Sequence, residues 1–586
     1  MGRPQTRKRK ATARRVSDAS SSVSTPSADY EPSVQQRKRR KIGASHTEAH
    51  DKWRESLSNL SSPTVNTACV PPPRLHGIEY HRPLLLGGDQ GRRDREALLD
   101  WFDSVSKLRF MPWRKDWINP DDWAGKDGLR AVLERRAYEV WISEIMLQQT
   151  RVSVVIEYWN RWMERWPTIQ DLSAASADEV LSAWRGLGYY SRATRIHQAA
   201  KLVVQDSNMR SLLPDGVAEL EAKVPGVGRY TAGAISAIVF GHATPMVDGN
   251  VMRVLSRQLG IFGNIKANKS VTDAIWTAAE ALVRAVAQDA HKTTAPDCDP
   301  QLSDRPGRWG QALMELGSTI CTPKPNCLEC PITSTCRAYG EGLLIADGQS
   351  HTSGFDAANV VDIEDLCQLC EPFEDATIPE GTNNPSRLGQ TSRPSKASSR
   401  AVENGKRIST QVPSPDALEV IVGHARRFPV KIVKAAVREE ECLVCAIVRS
   451  DGQYLLHRRP NKGLLAGLWE LPSYTLPAAK KSTKHSRKRD AETYVAGLIH
   501  VGPEKSRRRQ IHLKHSSELG TVPWQFSHLK LTMHVHLFTL DLLEGGPAIS
   551  PPGQPHRWAP DHEIEVESMG TGMRKCWALV KGRSIS

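Results

Sequence analysis

Apolar residues recur at three- and four-residue spacing from Asp94 to about residue 340. Leu98, Leu99, Phe102 and Val105 form one stripe. A second amphipathic stretch starts at Trp141, Ile145 and Leu147 and continues through Val155, Tyr158, Trp159 and Trp162 to Pro167. The same period predicts helices near 176–185, 191–205, 216–223, 229–241, 248–260, 270–288 and 308–320. Strand signals are missing from this region, so it reads as all-α. Beyond residue 430 the period shortens. Residues 441–448 form a buried-strand run, Asp451-Gly452 makes a turn before Gln453–Leu456, and Leu531–Leu537 alternates. An α+β domain is predicted there, with a Lys/Arg/Ser-rich surface loop at 479–490. The fold class is therefore multidomain: a disordered basic tail (1–90), an all-α domain (91–340), a disordered Ser/Thr/Pro-rich linker (341–428) and the α+β domain (429–580).

The hydrophobic fraction of 39% fits a chain with long unfolded parts. A net charge of +14 favours a polyanionic partner, nucleic acid before membrane, since no run of ~18 apolar residues exists. The N-terminal segment shows no apolar signal core. It carries two basic clusters, Arg7–Lys10 and Arg37–Lys41, which read as nuclear import signals against the alternative of a solvated tail. Its arginines leave a mitochondrial address open.

Three features carry chemistry. Cys321, Cys327, Cys330 and Cys336 form C-x5-C-x2-C-x5-C in a Pro-rich loop, a pattern that suits an iron–sulfur cluster or an all-thiolate zinc site better than a disulfide framework. Upstream, Val224-Pro225-Gly226-Val227-Gly228 lies between two helical stretches. Such a hairpin can grip phosphate through backbone N–H groups, although most such turns are plain connections. Two carboxylates stand out. Glu144, flanked by Ile142, Ile145 and Met146, would have its pKa raised by an apolar wall; Asp248 precedes Gly249 at a helix start, where backbone N–H groups would keep it ionised. Each has a plainer reading, an exposed helix glutamate and a simple N-cap. Cys442 and Cys445 also form a CxxC, but strand alternation puts them on opposite faces of a buried strand.

The hairpin, aspartate and cysteine loop, in that order, resemble the helix-hairpin-helix DNA glycosylases. The segments Met111-Pro112-Trp113-Arg114, Trp141 to Thr150, Gly186 to Arg192, Val247 to Arg257, Gly463 to Pro472 and Phe526 to Leu529 are similar to those of MutY-type adenine DNA glycosylases. The resemblance spans about 95–340 and 430–580 and implies excision of adenine mispaired with 8-oxoguanine or guanine in duplex DNA, by a monomer. It implies Glu144 as general acid and Asp248 as the carboxylate stabilising the sugar cation, with Tyr230 and Asn250 in support. Relatives of the endonuclease III type place a Schiff-base lysine where Tyr230 stands, so little or no strand cleavage is expected. DNA contacts are implied for Gly226, Val227, Gly228, Gln149, Thr150, Leu187 and Tyr189, and an adenine-pocket wall for Trp113 and Arg114. Core packing is the alternative for the aromatic residues.

The cysteine loop departs from the family by one residue fewer between its first two cysteines, and a [4Fe–4S] cluster is still expected, with zinc as the alternative. Residues 430–580 resemble Nudix domains, yet the segment after Pro472 lacks the Glu-rich helix that holds magnesium, so it is expected to bind rather than hydrolyse. Phe526, Ser527 and His528 look like the loop that reads 8-oxoguanine. Cys367 and Cys370 resemble a zinc-binding pair of animal homologues whose upstream cysteine is missing here. His81 is a further candidate ligand, which leaves the coordination incomplete. The linker is a candidate docking segment for clamp or repair proteins.

Overall fold

The computed structural model describes residues 53–54, 57, 69–70, 75–123, 126–289, 302–348, 366–373, 413–431, 437–460, 463, 465–477, 482–499, 512–526, 528–541 and 555–582. The basic clusters at 7–10 and 37–41, linker residues 349–365 and 374–412, and Ser527 lie outside the described residues.

The helical region contains α1 (Gly88–Leu108), α2 (Lys126–Leu147), α3 (Val152–Arg165), α4 (Ile169–Ala174), α5 (Ala177–Ala183), α6 (Ser191–Gln205), α7 (Val217–Lys223), α8 (Arg229–Val239), α9 (Gly249–Gln258), α10 (Lys269–Gln288), α11 (Arg305–Thr319) and α12 (Arg337–Ala346). Reciprocal caps start α4 and α5, Thr168 with Asp171 and Ser176 with Glu179. The apolar stripes meet in two cores. One surrounds Trp141, Trp162, Trp184 and Ile235; the other surrounds Leu98, Leu255, Leu282 and Leu316. Tyr230 and Met314 pack against both, so they mark the seam between two lobes.

The stretch expected to run unbroken from Trp141 to Pro167 is two helices. Gln148, Gln149 and Thr150 supply no apolar stripe, and Gln149 turns the chain at φ +57°.

The tail and linker boundaries also shift. Short 3₁₀ turns at Ile78–His81 and Leu84–Leu86 bury Tyr80, His81, Leu85 and Leu86 against the helical domain. The Trp53 indole donates to the Ala274 carbonyl at 3.1 Å. From the linker, α13 (Pro415–Ala425) packs on α12 through a buried His424–Glu341 pair at 2.7 Å, and Tyr80 donates to the other Glu341 oxygen at 2.6 Å. Isolated anchors of this kind have no period, so pattern reading passes over them.

The C-terminal domain is a seven-stranded sheet: β1 (Arg438–Arg449), β2 (Tyr454–Arg458), β3 (Trp469–Glu470), β4 (Ser473–Thr475), β5 (His512–Gln525), β6 (Leu529–Asp541) and β7 (His556–Ala559). Its order is β3-β2-β1-β6-β5, with β4 on β1 and β7 on β2. The β1–β6 pair is parallel, in a register that sets Cys442 against Met533. One face packs α14 (Lys484–Leu498); the other packs α15 (Asp561–Val566) and α16 (Thr571–Lys581). Cys442 and Cys445 fall in opposite layers, as alternation requires.

The surface loop expected at 479–490 is corrected. From Lys484 the segment is helical, capped by Thr483 and anchored by buried Ala491 and Val495. Its apolar anchors, with Tyr494 and Leu498 half-buried beside Ala491 and Val495, all lie in its second half, and the basic first half concealed the period. Leu468 of this domain is buried in the first helical core, and Arg458 pairs with Asp178 at 3.0 Å. Among the described residues, no helix is long and apolar enough to cross a membrane.

Candidate active site and metal centres

Three helices aim polar groups at the seam. Glu144 lies near the end of α2, Tyr230 opens α8, and Asp248 caps α9. The Tyr230 hydroxyl donates to Glu144 Oε2 at 2.6 Å. Glu144 is 5% exposed. Burial raises its carboxyl to about 7, with the negative charge of Asp248 adding to the rise; the Tyr230 hydroxyl and the Arg114 guanidinium oppose it. The apolar flanks of Glu144 thus act as expected. Burial likewise pushes the Tyr230 phenol well up, so it stays a neutral donor.

Asp248 is surrounded by donors. Its Oδ1 accepts from the backbone N–H of Asn250 (2.9 Å) and Val251 (2.8 Å), and its Oδ2 accepts from the Asn250 amide at 2.8 Å. Cap and chemical roles coincide in one residue. Asn250 is itself oriented by Arg253, which donates to its Oδ1 (2.9 Å) and to the carbonyls of Gly317 (2.6 Å) and Cys321 (2.9 Å).

Arg114 reaches the site but has a partner that sequence reasoning passed over. Its guanidinium donates to Glu315 Oε2 at 2.8 Å, Arg109 takes the other Glu315 oxygen, and Glu315 is almost wholly buried. The signal was present: Glu315 lies between Leu313, Met314 and Leu316, the same lone-glutamate pattern as Glu144. Trp113 packs in the core edge-on to Trp159, with ring centroids 6.0 Å apart.

The implied DNA contacts divide. Gly226 takes φ +85°, and a Cβ there would come within 3.0 Å of the Arg195 side chain, so only glycine fits this turn comfortably. Gly228 is the N-cap of α8, whose dipole end faces outward. The Val227 side chain is buried, and its N–H closes the turn on the Val224 carbonyl at 3.1 Å. Gln149 and Tyr189 both hold positive φ (+57° and +48°), and Tyr189 is 52% exposed. Non-glycine residues held this way often mark functional turns. Leu187 is buried and Thr150 half-buried in the same two turns. Arg192 ties the turns together, donating to the carbonyls of Ile145 (2.7 Å), Gln148 (2.9 Å), Leu187 (3.2 Å) and Gly188 (3.2 Å). It too escaped sequence reasoning. In the other domain, Phe526 is half-buried and His528 exposed.

The four loop cysteines line one cavity with Val254, Leu316, Ile320 and Pro325. Burial pushes Cys327 to about 11 and Cys330 to about 12, and Cys336 well up. As bare thiols they would be neutral; a bound metal centre supplies the charge that makes them thiolates. Arg257 donates to Cys321 Sγ at 3.1 Å and to the Thr322 carbonyl at 2.8 Å, placing positive charge beside the sulfurs. The donor set and its apolar walls fit a metal–sulfur centre, and the shortened spacing still brings all four cysteines to one cavity.

The candidate zinc ligands His81, Cys367 and Cys370 are joined by a fourth, His76. His76, His81, Cys367 and Cys370 bring one donor atom each within 4.8 Å of one another. His81 Nε2 lies 3.0 Å from His76 Nε2, 3.1 Å from Cys367 Sγ and 3.4 Å from Cys370 Sγ. Tetrahedral zinc with two nitrogens and two sulfurs needs edges of roughly 3.3–3.8 Å, so small relaxation accommodates it. The outer contacts fit as well. His81 Nδ1 meets the Leu259 carbonyl at 2.9 Å, and the N–H groups of Leu369 and Phe262 point at the two sulfurs (3.3 and 3.4 Å).

A helix–hairpin–helix whose second helix begins beside a buried glutamic acid, with a capped aspartate across the seam, defines a base-excision DNA glycosylase. Residues 142–280 match the profile of the HhH-GPD superfamily base excision DNA repair proteins, and residues 443–579 match that of the NUDIX domain. The human adenine DNA glycosylase is 35% identical over 498 residues, covering 83% of this chain and 74% of that protein. The rat adenine DNA glycosylase is 36% identical over 493 residues, covering 83% and 77%. The chain belongs to the adenine DNA glycosylase family. A thermostable thymine-DNA glycosylase structure overlaps 42% of this chain and 97% of its own at 24% identity and a TM-score of 0.32, too partial an overlap to bear on the argument.

Proposed function

We propose that this glycosylase hydrolyses the N-glycosidic bond of adenine paired with 8-oxoguanine or guanine in duplex DNA, without strand cleavage. The observation that carries this reading is the pairing of Glu144, buried and raised to about 7, with Asp248, held by three donors across the same seam. Loss of adenine from deoxyribose needs a proton on the leaving purine and an anion beside the nascent oxocarbenium ion, and two carboxylates with separated environments meet both demands. Protonated Glu144 donates toward the purine, and the Tyr230 hydroxyl holds its carboxyl group in place. Asp248, held by its three donors, faces the sugar as the group that stabilises the cation. The target nucleotide must leave the stack to reach them, and Tyr189 and Gln149, exposed or turned out at the rim, suit the role of filling its place. Tyr230 supplies no amine for a Schiff base, which supports a monofunctional enzyme. Phe526, Ser527 and His528 are the proposed readers of the opposite base.

Cys321, Cys327, Cys330 and Cys336 would hold a [4Fe–4S] cluster, whose role here is to shape the loop that bears Lys324. His76, His81, Cys367 and Cys370 would hold zinc, tying the linker to the helical domain. The basic clusters at 7–10 and 37–41 are proposed nuclear import signals, with mitochondrial delivery as a second destination, and the linker is a proposed docking segment for a clamp or repair protein. The decisive test is single-turnover excision on duplexes bearing A opposite 8-oxoguanine, A opposite G, and thymine glycol. Excision confined to the first two, lost in Glu144→Gln while mispair binding persists, is expected. Turnover by that variant at the wild-type rate, or preference for thymine glycol, overturns the reading.

A further inference from the structure

The Nudix-like domain touches the helical domain beside the turn that carries Tyr189. That turn leaves the end of α5, and the Nudix-like domain holds α5 at both ends. Near its start, Asp178 pairs with Arg458, the last residue of β2, at 3.0 Å. Just past its end, Arg185 Nη1 donates to the Glu565 carbonyl of α15 at 3.2 Å, an oxygen that also accepts from Arg574 at 2.8 Å. An apolar contact accompanies these polar ones. Leu468 is 1% exposed within the first helical core, and Leu465, at φ +55°, packs against the same core. Arg458 reaches this loop as well, donating to the Gly467 carbonyl at 3.1 Å. The turn is also braced from inside its own domain. The Tyr158 hydroxyl donates to the Arg185 carbonyl at 2.6 Å, and the Trp184 indole donates to the Gly188 carbonyl at 3.0 Å. Arg185 therefore has its carbonyl tied to one domain and its guanidinium to the other.

We propose that Arg185 is a positioning residue, through which the seating of the Nudix-like domain sets the turn at 186–189 and so the extrusion of the target nucleotide. The guanidinium is not needed to fold the turn, which Tyr158, Trp184 and Arg192 already hold. The contact is also conditional. Its ion pair has side chains 31% and 59% exposed, and exposed pairs are weak. Partly polar interfaces between domains open and close readily, so the docked and released domain supply the two arrangements that energetic coupling requires. On the far side of the loop, Leu465 and Leu468 line a cavity with Trp469 and Phe526. Phe526 belongs to the loop proposed to read the opposite base, so the inference rests on that reading. Movement of this wall when a base is engaged reaches α5 through Leu468, Arg458 and Arg185, and passes through neither carboxylate.

The test is single-turnover excision by the full-length, metal-loaded protein on duplexes bearing A opposite 8-oxoguanine, opposite G and opposite an abasic analogue. The last offers the second domain no base to read. Arg185→Met keeps the aliphatic stem and removes the donor. Excision opposite 8-oxoguanine is expected to fall about fivefold, less than a buried charged hydrogen bond would give, because Arg185 is exposed. Excision opposite the abasic analogue should change by less than about twofold, so the ratio between the two duplexes carries the effect. Asp178→Arg sets two cations together and should reduce the same ratio by about threefold. Adding Arg458→Asp restores opposite charges and should return most of that loss, a rescue that misfolding of either single variant cannot produce. Equal losses on all three duplexes, an unchanged ratio, or a charge swap that restores nothing overturns the inference. Wild-type preference for the 8-oxoguanine duplex in the same experiment leaves the proposed function standing in each of those cases.

Discussion

Replacing Glu144 by Gln should make the protein more stable in alkali while removing its activity. Folding buries this carboxyl and raises it from 4.5 to about 7. The folded state therefore prefers the protonated form. The contribution is complete below the unfolded value near 4.5, and it is lost as pH rises through about 7, because the folded protein must then bury a charge or take up a proton. A rise of this size corresponds to about 3 kcal/mol over the full range, of which about 2–3 kcal/mol falls between pH 5 and pH 8.5. Glutamine fills the same space, does not titrate, and still offers an oxygen to the Tyr230 hydroxyl, so packing is preserved.

The assay is thermal unfolding of wild type and Glu144→Gln, followed by helical circular dichroism at pH 5 and pH 8.5. The gap between the two proteins should widen in favour of the variant by about 2–3 kcal/mol at the higher pH, or about 5–10 °C for a helical domain of this size. Parallel pH profiles would refute the argument, because they would mean that the carboxyl is solvated as an ordinary glutamate. The same titration governs chemistry. Single-turnover excision by wild type should fall as pH rises through about 7, since the proton donor is then lost.

Tyr230→Phe removes the hydroxyl that holds Glu144 down, so the alkaline limb of the single-turnover excision profile should move to higher pH; an unmoved limb refutes the contact. Asp248→Asn keeps an oxygen for the N–H groups of Asn250 and Val251, so unfolding measurements should show a change within about 1 kcal/mol while excision is lost. His76→Ala removes one of four donors at the second metal site, and zinc measured by atomic absorption after dialysis should fall well below stoichiometric, whereas iron content and the visible iron–sulfur absorbance should not change.

What could be read from the chain was what lies close together in it. The period of α6 to α11 placed those helices within a few residues, and the apolar neighbours of Glu144 and the Asp-Gly start of α9 exposed both carboxylates. Partnerships between distant segments were hidden. Arg114 announces nothing about Glu315, and Arg192 sits in a recognisable stretch without showing that it bonds five carbonyls in two separate segments. His76 stands in a segment that composition assigns to a disordered tail; it becomes a candidate ligand only when the 3₁₀ turn at Ile78–His81 carries it to Cys367. The break at Gln149 was missed for a related reason. Helical period continues on both sides, and the left-handed turn between them leaves no mark in the hydrophobic pattern.

The two carboxylates need opposite surroundings, and the fold provides them from different sources. Glu144 is kept neutral by apolar helices that the core builds regardless of chemistry. Asp248 needs donors, and only its backbone contacts come with the helix start. The third, the Asn250 amide, has to be aimed. Arg253 aims it by spanning from Asn250 Oδ1 to the carbonyls of Gly317 and Cys321. A Cβ at Gly317 would approach Asn250 to 2.8 Å, so α11 must pass this closely for the bridge to close. Cys321 thus lines the cysteine cavity and braces Arg253 through its carbonyl. Disturbing the loop would release Arg253, let Asn250 turn, and leave Asp248 with its two backbone donors alone. The cysteine loop, which lies outside the proposed chemistry, thereby helps to set the donors around Asp248.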